Sequence, residues 1–410
     1  SIEQSAMILK MGHKQMTKPE QKRPIRVVHI ITRLIIGGAQ ENTLLTVFGL
    51  QLKGGYEVTL LSGPTTGPEG SLVEKALKKT TFVILPELRR RINLFFDLIA
   101  FIKLYFFIKN GRFDIVHTHS SKAGILGRLA AKLAKAPIII HTIHGLPFYE
   151  EQPKLLNNFY FYLERYASSI SDKLICVSQT LIDEAVRRGL AGREKFIKIY
   201  SGIELSLYVK NPQAKEALKK KLGIPQTSPV IGKVARLFLH KGHEYLIQAA
   251  ALIKEKCPEA KILFIGDGIL KDELIRLAQR LGVRDMIVFA GLIMPESIPY
   301  YIQLIDVIAH ASLHEGLPRA VVQGYALGIP AVCFDIDGAR DIVHDKTSGY
   351  LVEPKNVRQF AERLIDLLQN KDKAKKMGAE GERFVRESFD AQVMVSAIDF
   401  VYRELIRCGT

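Results

Sequence analysis

Two kinds of hydrophobic pattern alternate along this chain of 410 residues. Short unbroken apolar runs, the signature of strands buried on both faces of a parallel sheet, are separated by longer segments with helical spacing. In the first half the strand-like runs are IRVVHIIT (25–32), YEVTLLS (56–62), TFVILP (81–86), FDIVHTHS (113–120), PIIIHTIHG (137–145), KLICVS (173–178) and KFIKIYSGIE (195–204). Helices are predicted from Gly38 to about Gln51 and over 93–109, 123–134, 157–169 and 179–188. A second series follows with PVIGKVARL (229–237), KILFIGDG (261–268), MIVFAGLI (286–293), DVIAHAS (306–312), PAVCFDI (330–336) and GYLVEP (349–354). Its helices are read in HKGHEYLIQAAALIKEK, from 268 to about 281, over 318–327 and, at the end, over 391–406. Such alternation predicts an α/β fold built from doubly wound parallel sheets.

Length agrees with at least two domains, at about 150 residues each. The character changes over 201–228, where Pro212, Pro225 and the run Lys219, Lys220 and Lys221 appear, so a linker is placed at 202–213. Residues 1–24 are polar and lysine-rich without apolar period and read as a disordered leader. Charge divides the chain as well. Residues 1–200 hold 29 Lys and Arg against 16 Asp and Glu, and residues 201–410 hold 29 against 26. A basic half suits an anionic partner. No basic run is interleaved with aromatic residues and no nucleic-acid motif is seen, so an anionic membrane surface is favoured over nucleic acid. The most apolar helix, INLFFDLIAFIKLYFFI, is interrupted by Asp97 and Lys103, and no run of about 18 apolar residues predicts a membrane span. No secretory signal pattern is read, and Cys176, Cys257, Cys333 and Cys408 are scattered without a C-x-x-C pair, which fits a reducing cytoplasm.

The stretch SLHEGLPRAVVQGYALGIPAVCFDIDGARDIVHDKTSG (312–349) concentrates the candidate chemistry. Pro318 suits a first helical position, which would leave the amides of Arg319 and Ala320 free toward a phosphate. Glu315 closes the loop before it, and Arg319 and Gln323, four apart, share a helix face. Arg236 and Lys241 follow the 229–237 strand, and two cations there suit a diphosphate, one as a fork and one as a point charge. Gly37 and Gly38, and Gly266 and Gly268, sit in turns between strand and helix where backbone can approach a phosphate. His117, His119, His141 and His144 lie near strand ends, where ligands of doubly wound sheets collect. The first three read as core or supporting histidines; His144, just before Gly145, is open to either role.

Taken in order, GGAQEN, HTIHGLPF, YSGIE, VARLFLHKG, FIGDG, FAGLI and HEGLPRAVVQGYALGIPAV resemble a retaining glycosyltransferase of the GT-B fold, glycosyltransferase family 4 (group 1) type, from about residue 25 to about 402. The resemblance implies two Rossmann-like domains facing across a cleft: an acceptor-binding domain over 25–203, a nucleotide-sugar domain over 204–390, and a last helix (391–410) packing back on the first. It implies transfer of a sugar, with retention, from a nucleotide-diphosphate sugar, UDP being the expected nucleotide, to a lipid-linked or glycan acceptor in envelope, capsule or exopolysaccharide synthesis. By position, Arg236 and Lys241 would hold the diphosphate, Glu315 the donor sugar region, the amides of Leu317 and Arg319 the phosphates, and His144 would sit over the sugar. Gly37 and Gly38 would allow close approach of backbone, while Gly266, Gly268 and Leu292 would wall the base pocket. No cofactor and no metal are expected. Two departures stand out. Gln323 occupies a position where the family has a ribose-binding glutamate. An amide has one acceptor oxygen where a carboxylate has two, so donor binding weaker by about 1 kcal/mol is expected. Ser201 stands where asparagine is common, and the sequence attaches no function to it. The expected location is the cytoplasm, peripheral at the inner face of the plasma membrane. Gln323 also leaves open a catalytically silent sugar-nucleotide-binding subunit, and the fold leaves open a non-hydrolysing sugar-nucleotide epimerase.

Overall fold

The computed structural model describes residues 23–66, 69–148 and 153–409. The leader expected over 1–24 lies outside the described residues except for Arg23 and Pro24. The apolar runs of the first half form β1 (Ile25–Ile31), β2 (Tyr56–Ser62), β3 (Thr81–Ile84), β4 (Ile115–His119), β5 (Ile138–Ile143), β6 (Lys173–Cys176) and β7 (Phe196–Lys198). Between them run α1 (Gly38–Lys53), α2 (Val73–Lys79), α3 (Leu94–Gly111), α4 (Ser121–Leu133), α5 (Lys154–Ser169) and α6 (Gln179–Arg187). After α7 (Pro212–Lys221) the second half repeats the scheme with β8 (Val230–Val234), α8 (His243–Lys256), β9 (Lys261–Ile265), α9 (Lys271–Arg280), β10 (Ile287–Gly291), α10 (Ile298–Ile302) and β11 (Val307–His310). It continues through α11 (Arg319–Tyr325), β12 (Ala331–Phe334), β13 (Gly349–Val352), α12 (Val357–Gln369) and α13 (Lys371–Ser388) to the last helix, α14 (Ala391–Gly409).

The strands make two sheets, one of seven strands in the order β3-β2-β1-β4-β5-β6-β7 and one of six in the order β10-β9-β8-β11-β12-β13. Every pairing in both is parallel. Parallel sheets must be covered on both faces, and the helices do this; β1 is buried from Val27 onward. Helix α14 crosses back onto the first sheet, where Tyr402 is fully buried and the Tyr56 hydroxyl donates to Asp399 at 2.5 Å. One apolar cluster is continuous between the halves, joining Leu174 and Leu181 to Val321 and Tyr325.

The chain crosses between the sheets twice, over 199–211 and again between α13 and α14. The crossings are paired with each other. The Ile203 amide donates to the Phe389 carbonyl at 2.8 Å, and the Ala391 amide donates to the Ile203 carbonyl at 2.9 Å. The Tyr200 and Phe389 rings stack there with centroids 4.4 Å apart.

Several elements differ from the sequence reading. The linker placed at 202–213 overlaps α7, whose start Asn211 caps by accepting from the Ala214 amide at 3.0 Å. That cap and Pro212 at the first helical position are a helix signal that the lysine run obscured. Helices α2, α10, α12 and α13 have no counterpart in the reading. Helix α3 extends over the predicted segment, but only Ala100, Leu104 and Ile108 are buried along it, leaving Leu94, Phe95, Leu98, Ile102 and Phe106 exposed. No helix among the described residues is long and apolar enough to cross a membrane.

Candidate functional site

In each sheet the strand order reverses at one point, between β1 and β4 in the first and between β8 and β11 in the second. Loops leaving the carboxyl ends of such neighbouring strands run to opposite faces and open a crevice. The two crevices face each other and form a cavity of about 420 Å³, within the usual range for small-molecule sites. Of the residues singled out in the sequence, Gly37, Gly38, His144, Arg236, Lys241, Gly266, Leu292, Glu315, Leu317, Arg319 and Gln323 line it. Gly268 does not. It lies under the loop after β8, where a β-carbon would come 2.5 Å from the Leu237 carbonyl oxygen, so its glycine serves packing of that loop.

The cationic wall comes from β8 and the loop beyond it. Lys241 donates to Glu315 at 2.5 Å, pinning the two loops at the ends of β8 and β11 together. Burial raises the Glu315 carboxyl, but the charge and hydrogen bond of Lys241, with nearby His310 and Lys233, more than offset this and hold it below the usual carboxylate range. It is therefore ionised at neutral pH. Arg236 lies over the Phe238 ring, 5.1 Å from its centroid, and 3.7 Å from the Glu69 carboxylate. Glu69 belongs to the first domain, is 6 % exposed, and is shared with Arg33 at 3.3 Å and Arg90 at 3.7 Å. It thus reaches across the cleft to orient Arg236. Behind this wall Lys233 is 1 % exposed on β8, and its Nζ has no hydrogen-bond partner among the described residues. Burial, then the charge of Lys241, pull its pKa down to about 7. Arg236, Lys241 and Lys233, with Arg33 and Arg90 sharing Glu69, outnumber the carboxylates Glu315 and Glu69, and the wall suits an anion.

The turn before α11 is arranged differently from the sequence reading. Pro318 has ψ 81° and stands before the helix, which begins at Arg319. The Arg319 amide is not free for a phosphate, since it donates to the Leu317 carbonyl at 2.9 Å. The guanidinium is engaged as well: Nη1 donates to Ser201 Oγ at 2.7 Å and to the Gly202 carbonyl at 3.2 Å, and Nη2 donates to Glu41 at 3.1 Å. Asn42 Nδ2 donates to the same Ser201 hydroxyl at 3.0 Å. Arg319 therefore ties α11 to the first turn of α1 and to the first crossing, and Ser201 has a definite task. The Arg319 side chain lies directly over Gly38. Beside it the domains approach closely at Gly316, where a β-carbon would lie 2.0 Å from the His144 carbonyl oxygen.

His144 closes the first-domain side. Its Nε2 is 3.3 Å from His119 Nδ1. Burial, then the Arg319 charge, pull its pKa down to about 3, so it is neutral at physiological pH. Gln323 is 9 % exposed on α11, on the cavity face it shares with Arg319. Glu41, Glu69, Lys233 and His310 were not singled out in the sequence. Their roles come from contacts across the cleft or across strands, for which no local pattern exists.

A second cavity of about 660 Å³ adjoins the first, with Gln40 on the wall of both. It runs between the start of α3, α4 and α5, with Ile92, Leu94, Leu126 and Phe159 on an apolar side and Arg33, Arg90 and Lys122 on a basic side. Leu155, Phe159, Tyr162 and Tyr166 are exposed along α5, continuing the exposed apolar face of α3.

Comparison with known proteins gives consistent findings. The pattern of the family "Glycosyl transferases group 1" matches residues 214–384, and that of "Glycosyltransferase Family 4" matches residues 36–207. The chain is 28 % identical over 350 residues to the UDP-Gal:alpha-D-GlcNAc-diphosphoundecaprenol alpha-1,3-galactosyltransferase of Escherichia coli, covering 85 % of this chain and 89 % of that one. It is 31 % identical over 294 residues to EpsD of Bacillus subtilis, which bears the name glycosyltransferase, covering 70 % and 76 %. In structure it resembles Anabaena HepE solved with UDP, with a TM-score of 0.77, 20 % identity and coverage of 93 % and 100 %. It also resembles WaaG, a glycosyltransferase of lipopolysaccharide biosynthesis, with a TM-score of 0.73, 16 % identity and coverage of 92 % and 99 %.

The Arg319 fork is testable without a ligand. Arg319→Ala takes the guanidinium from Glu41 and the Gly202 carbonyl and leaves Ser201 with Asn42 alone, and is expected to destabilise the protein by about 1–3 kcal/mol. Arg319→Lys is expected to recover less than half of that, because a single ammonium cannot span the acceptors that the planar fork reaches. Denaturant titration of the three proteins measures both effects.

Proposed function

The chain belongs to the group 1, family 4 glycosyltransferases, and on that premise we propose that it transfers a sugar, with retained anomeric configuration and without a metal, from a UDP-sugar to the hydroxyl of a lipid-diphosphate-linked glycan. The observation that carries this reading is the adjoining pair of cavities, one with a cationic wall and one apolar with basic residues, meeting at Gln40. The first suits a nucleotide diphosphate, and the second suits the diphosphate and first isoprene units of an acceptor. The E. coli relative acts on a diphosphoundecaprenol acceptor by name, and the HepE structure contains UDP.

In the reaction the bond from the sugar C1 to the β-phosphate oxygen breaks, and the acceptor oxygen attacks C1 from the face the phosphate leaves. The acceptor proton passes to the departing phosphate, so the product is the α-linked glycan plus UDP. Arg236 and Lys241 meet the charge that develops on the phosphate, each interaction of this kind being worth roughly 3 kcal/mol in the transition state. They supply what a divalent ion would otherwise supply. Glu69 keeps Arg236 aimed across the cleft, Glu315 keeps Lys241 in place, and His144 faces the donor sugar. Gly266 and Leu292 border the base, and Gln323 the ribose. The enzyme works at the cytoplasmic membrane surface through the exposed apolar residues of α3 and α5 and the basic charge of the first half. Arg89, Arg90 and Arg91 precede α3, with the Arg89 guanidinium 3.8 Å from the Phe96 ring centroid.

Four measurements bear on this reading. Calorimetric titration of UDP into Arg236→Ala and Lys241→Ala is expected to show affinity at least tenfold lower, about 1.4 kcal/mol, with melting temperatures close to the parent; parental affinity in both would remove the diphosphate assignment. UDP-sugars incubated in excess EDTA with a polyprenyl-diphosphate monosaccharide are expected to give an α-linked product and free UDP. A β-linked product would sink retention, and rescue only by Mg²⁺ or Mn²⁺ would sink metal independence. Without acceptor, slow UDP release is expected, and its absence together with absent transfer would favour a silent binding subunit. Co-sedimentation with anionic vesicles is expected to fall when Arg89, Arg90 and Arg91 are all changed to Ser, at about 1 kcal/mol per basic residue at the surface. Equal binding by both proteins would take the arginines out of the contact.

A further inference from the structure

Behind His144 a line of polar groups runs through the core of the first sheet. His119 Nδ1 is 3.3 Å from His144 Nε2, and His119 Nε2 is 2.9 Å from His29 Nδ1. His29 Nε2 is 3.3 Å from the Tyr402 hydroxyl, which is 2.5 Å from His117 Nδ1. His117 Nε2 is 2.7 Å from Thr142 Oγ1. The parallel register of β1 and β4 sets His29 opposite His117, β5 supplies Thr142, and α14 brings in Tyr402. His29, His117, His119 and Tyr402 have no exposed surface and Thr142 is 3 % exposed. Burial pulls the pKa of His29 to about 3 and those of His117 and His119 well below the ordinary value, so the rings are neutral.

A neutral imidazole donates through one nitrogen and accepts through the other. Each nitrogen of these three rings has one partner, so within each ring the direction of one hydrogen bond dictates the other; only at the Tyr402 hydroxyl, with one proton and two lone pairs, can two bonds converge. Three arrangements follow: two in which every bond runs the same way, and one in which His29 and His117 both donate to Tyr402, whose own buried proton then has no acceptor among the described residues, at the same cost as any unmet donor. In the first, Thr142 donates to His117, His117 to Tyr402, Tyr402 to His29, His29 to His119, and His119 to His144. Every donor then meets an acceptor, and His144 carries its proton on Nδ1. The His144 hydrogen bond seen among the described residues runs through Nε2, and the residue lines the cavity, so Nδ1 is left for a ligand. In the second direction every bond reverses. Thr142 must accept from His117, and its own proton has no acceptor among the described residues. A buried donor left unmet weighs against that direction by a factor on the order of ten to a hundred.

We propose that this relay, ending blind at Thr142 and passing through Tyr402, locks His144 in the Nδ1–H form, so that His144 gives a hydrogen bond to an oxygen of the donor substrate and does not act as a base. His119, His29 and Tyr402 are its positioning residues. The inference rests on the reading of the cavity as the donor site for what His144 meets, but the relay itself is independent of any substrate. The same three histidines also bring their ring nitrogens within 4.8 Å of one another, a spacing open to a metal ion. Each of those nitrogens already has a hydrogen-bond partner, and a metal would have to break the line.

Long-range proton–nitrogen correlation spectra of the full chain labelled with ¹⁵N-histidine test this without substrate, His144→Gln assigning the His144 signals. The expected spectrum shows a pyrrole-type Nδ1 and a pyridine-type Nε2 at His144, in excess of at least about tenfold over the other form. Tyr402→Phe keeps the ring but removes the hydroxyl, after which either direction leaves one His29 nitrogen unmet. His144 should then become a mixture within about threefold of even. Thr142→Val, of nearly equal shape, removes the blind end and should do the same, so the test survives if one variant fails to fold. A pyridine-type Nδ1 in the parent, an unchanged His144 in both variants, or one equivalent of tightly held zinc with metal-shifted His29, His117 and His119 signals would each overturn the proposal. UDP titration into the same samples judges the donor-site reading separately.

Discussion

The paired crossings at Ile203 hold the molecule in its shape. Two parallel sheets joined by a single strand of chain would be free to swing. Here the second crossing is bonded to the first through the Ile203 amide and carbonyl, 2.8 Å and 2.9 Å from their partners at Phe389 and Ala391. The pairing sits one residue beyond Gly202 and two beyond Ser201, both of which accept from Arg319. The hinge and the interdomain fork are therefore parts of one structure. What sets the relation of the domains also sets the width of the cavity between them.

Within that frame the chemistry follows from strand order. Each sheet reverses its winding once, each reversal leaves a crevice, and the two crevices are turned toward one another. The basic loop after β8 faces Glu69 in the loop after β2, and α11 faces Glu41 in the first turn of α1, so opposite charges from different domains are brought into register. Glu69 with Arg236, and Glu41 with Arg319, each join a carboxylate of the first half to a guanidinium of the second, 3.7 Å and 3.1 Å apart. Glu69 is buried, and Glu41 and Arg319 are largely covered, so both pairs can aim side chains across the cleft.

Much of this was legible in the sequence, for physical reasons that also explain what was not. Strands buried on both faces are unbroken apolar runs, so IRVVHIIT or KILFI announces itself without neighbours. Short polar helices such as Val73–Lys79 have few apolar positions and no such signal, and the lysines of Pro212–Lys221 masked a helix whose cap was in plain view. Loop residues after strands were found because chain order alone carries them to the cleft. The Arg319 amide was misread because a proline before a helix suggests a free N-terminus, whereas the backbone at Leu317 folds back to accept it. Ser201 looked idle because its partner is 118 positions away. The histidines near strand ends were noticed singly, but their continuity depends on Tyr402 from the far end of the chain, which no local window contains.

Under the proposed assignment of Lys241 to the donor diphosphate, its contact with Glu315 has a kinetic side. A cation that already holds a carboxylate gains from an incoming diphosphate only the difference between two pairings. The same carboxylate would be at hand when the spent nucleotide must go, and its return to the ammonium would lower the barrier to departure. Product inhibition, the usual penalty of a site that grips phosphate with bare cations, is then expected to be softer, at the cost of some grip on the donor.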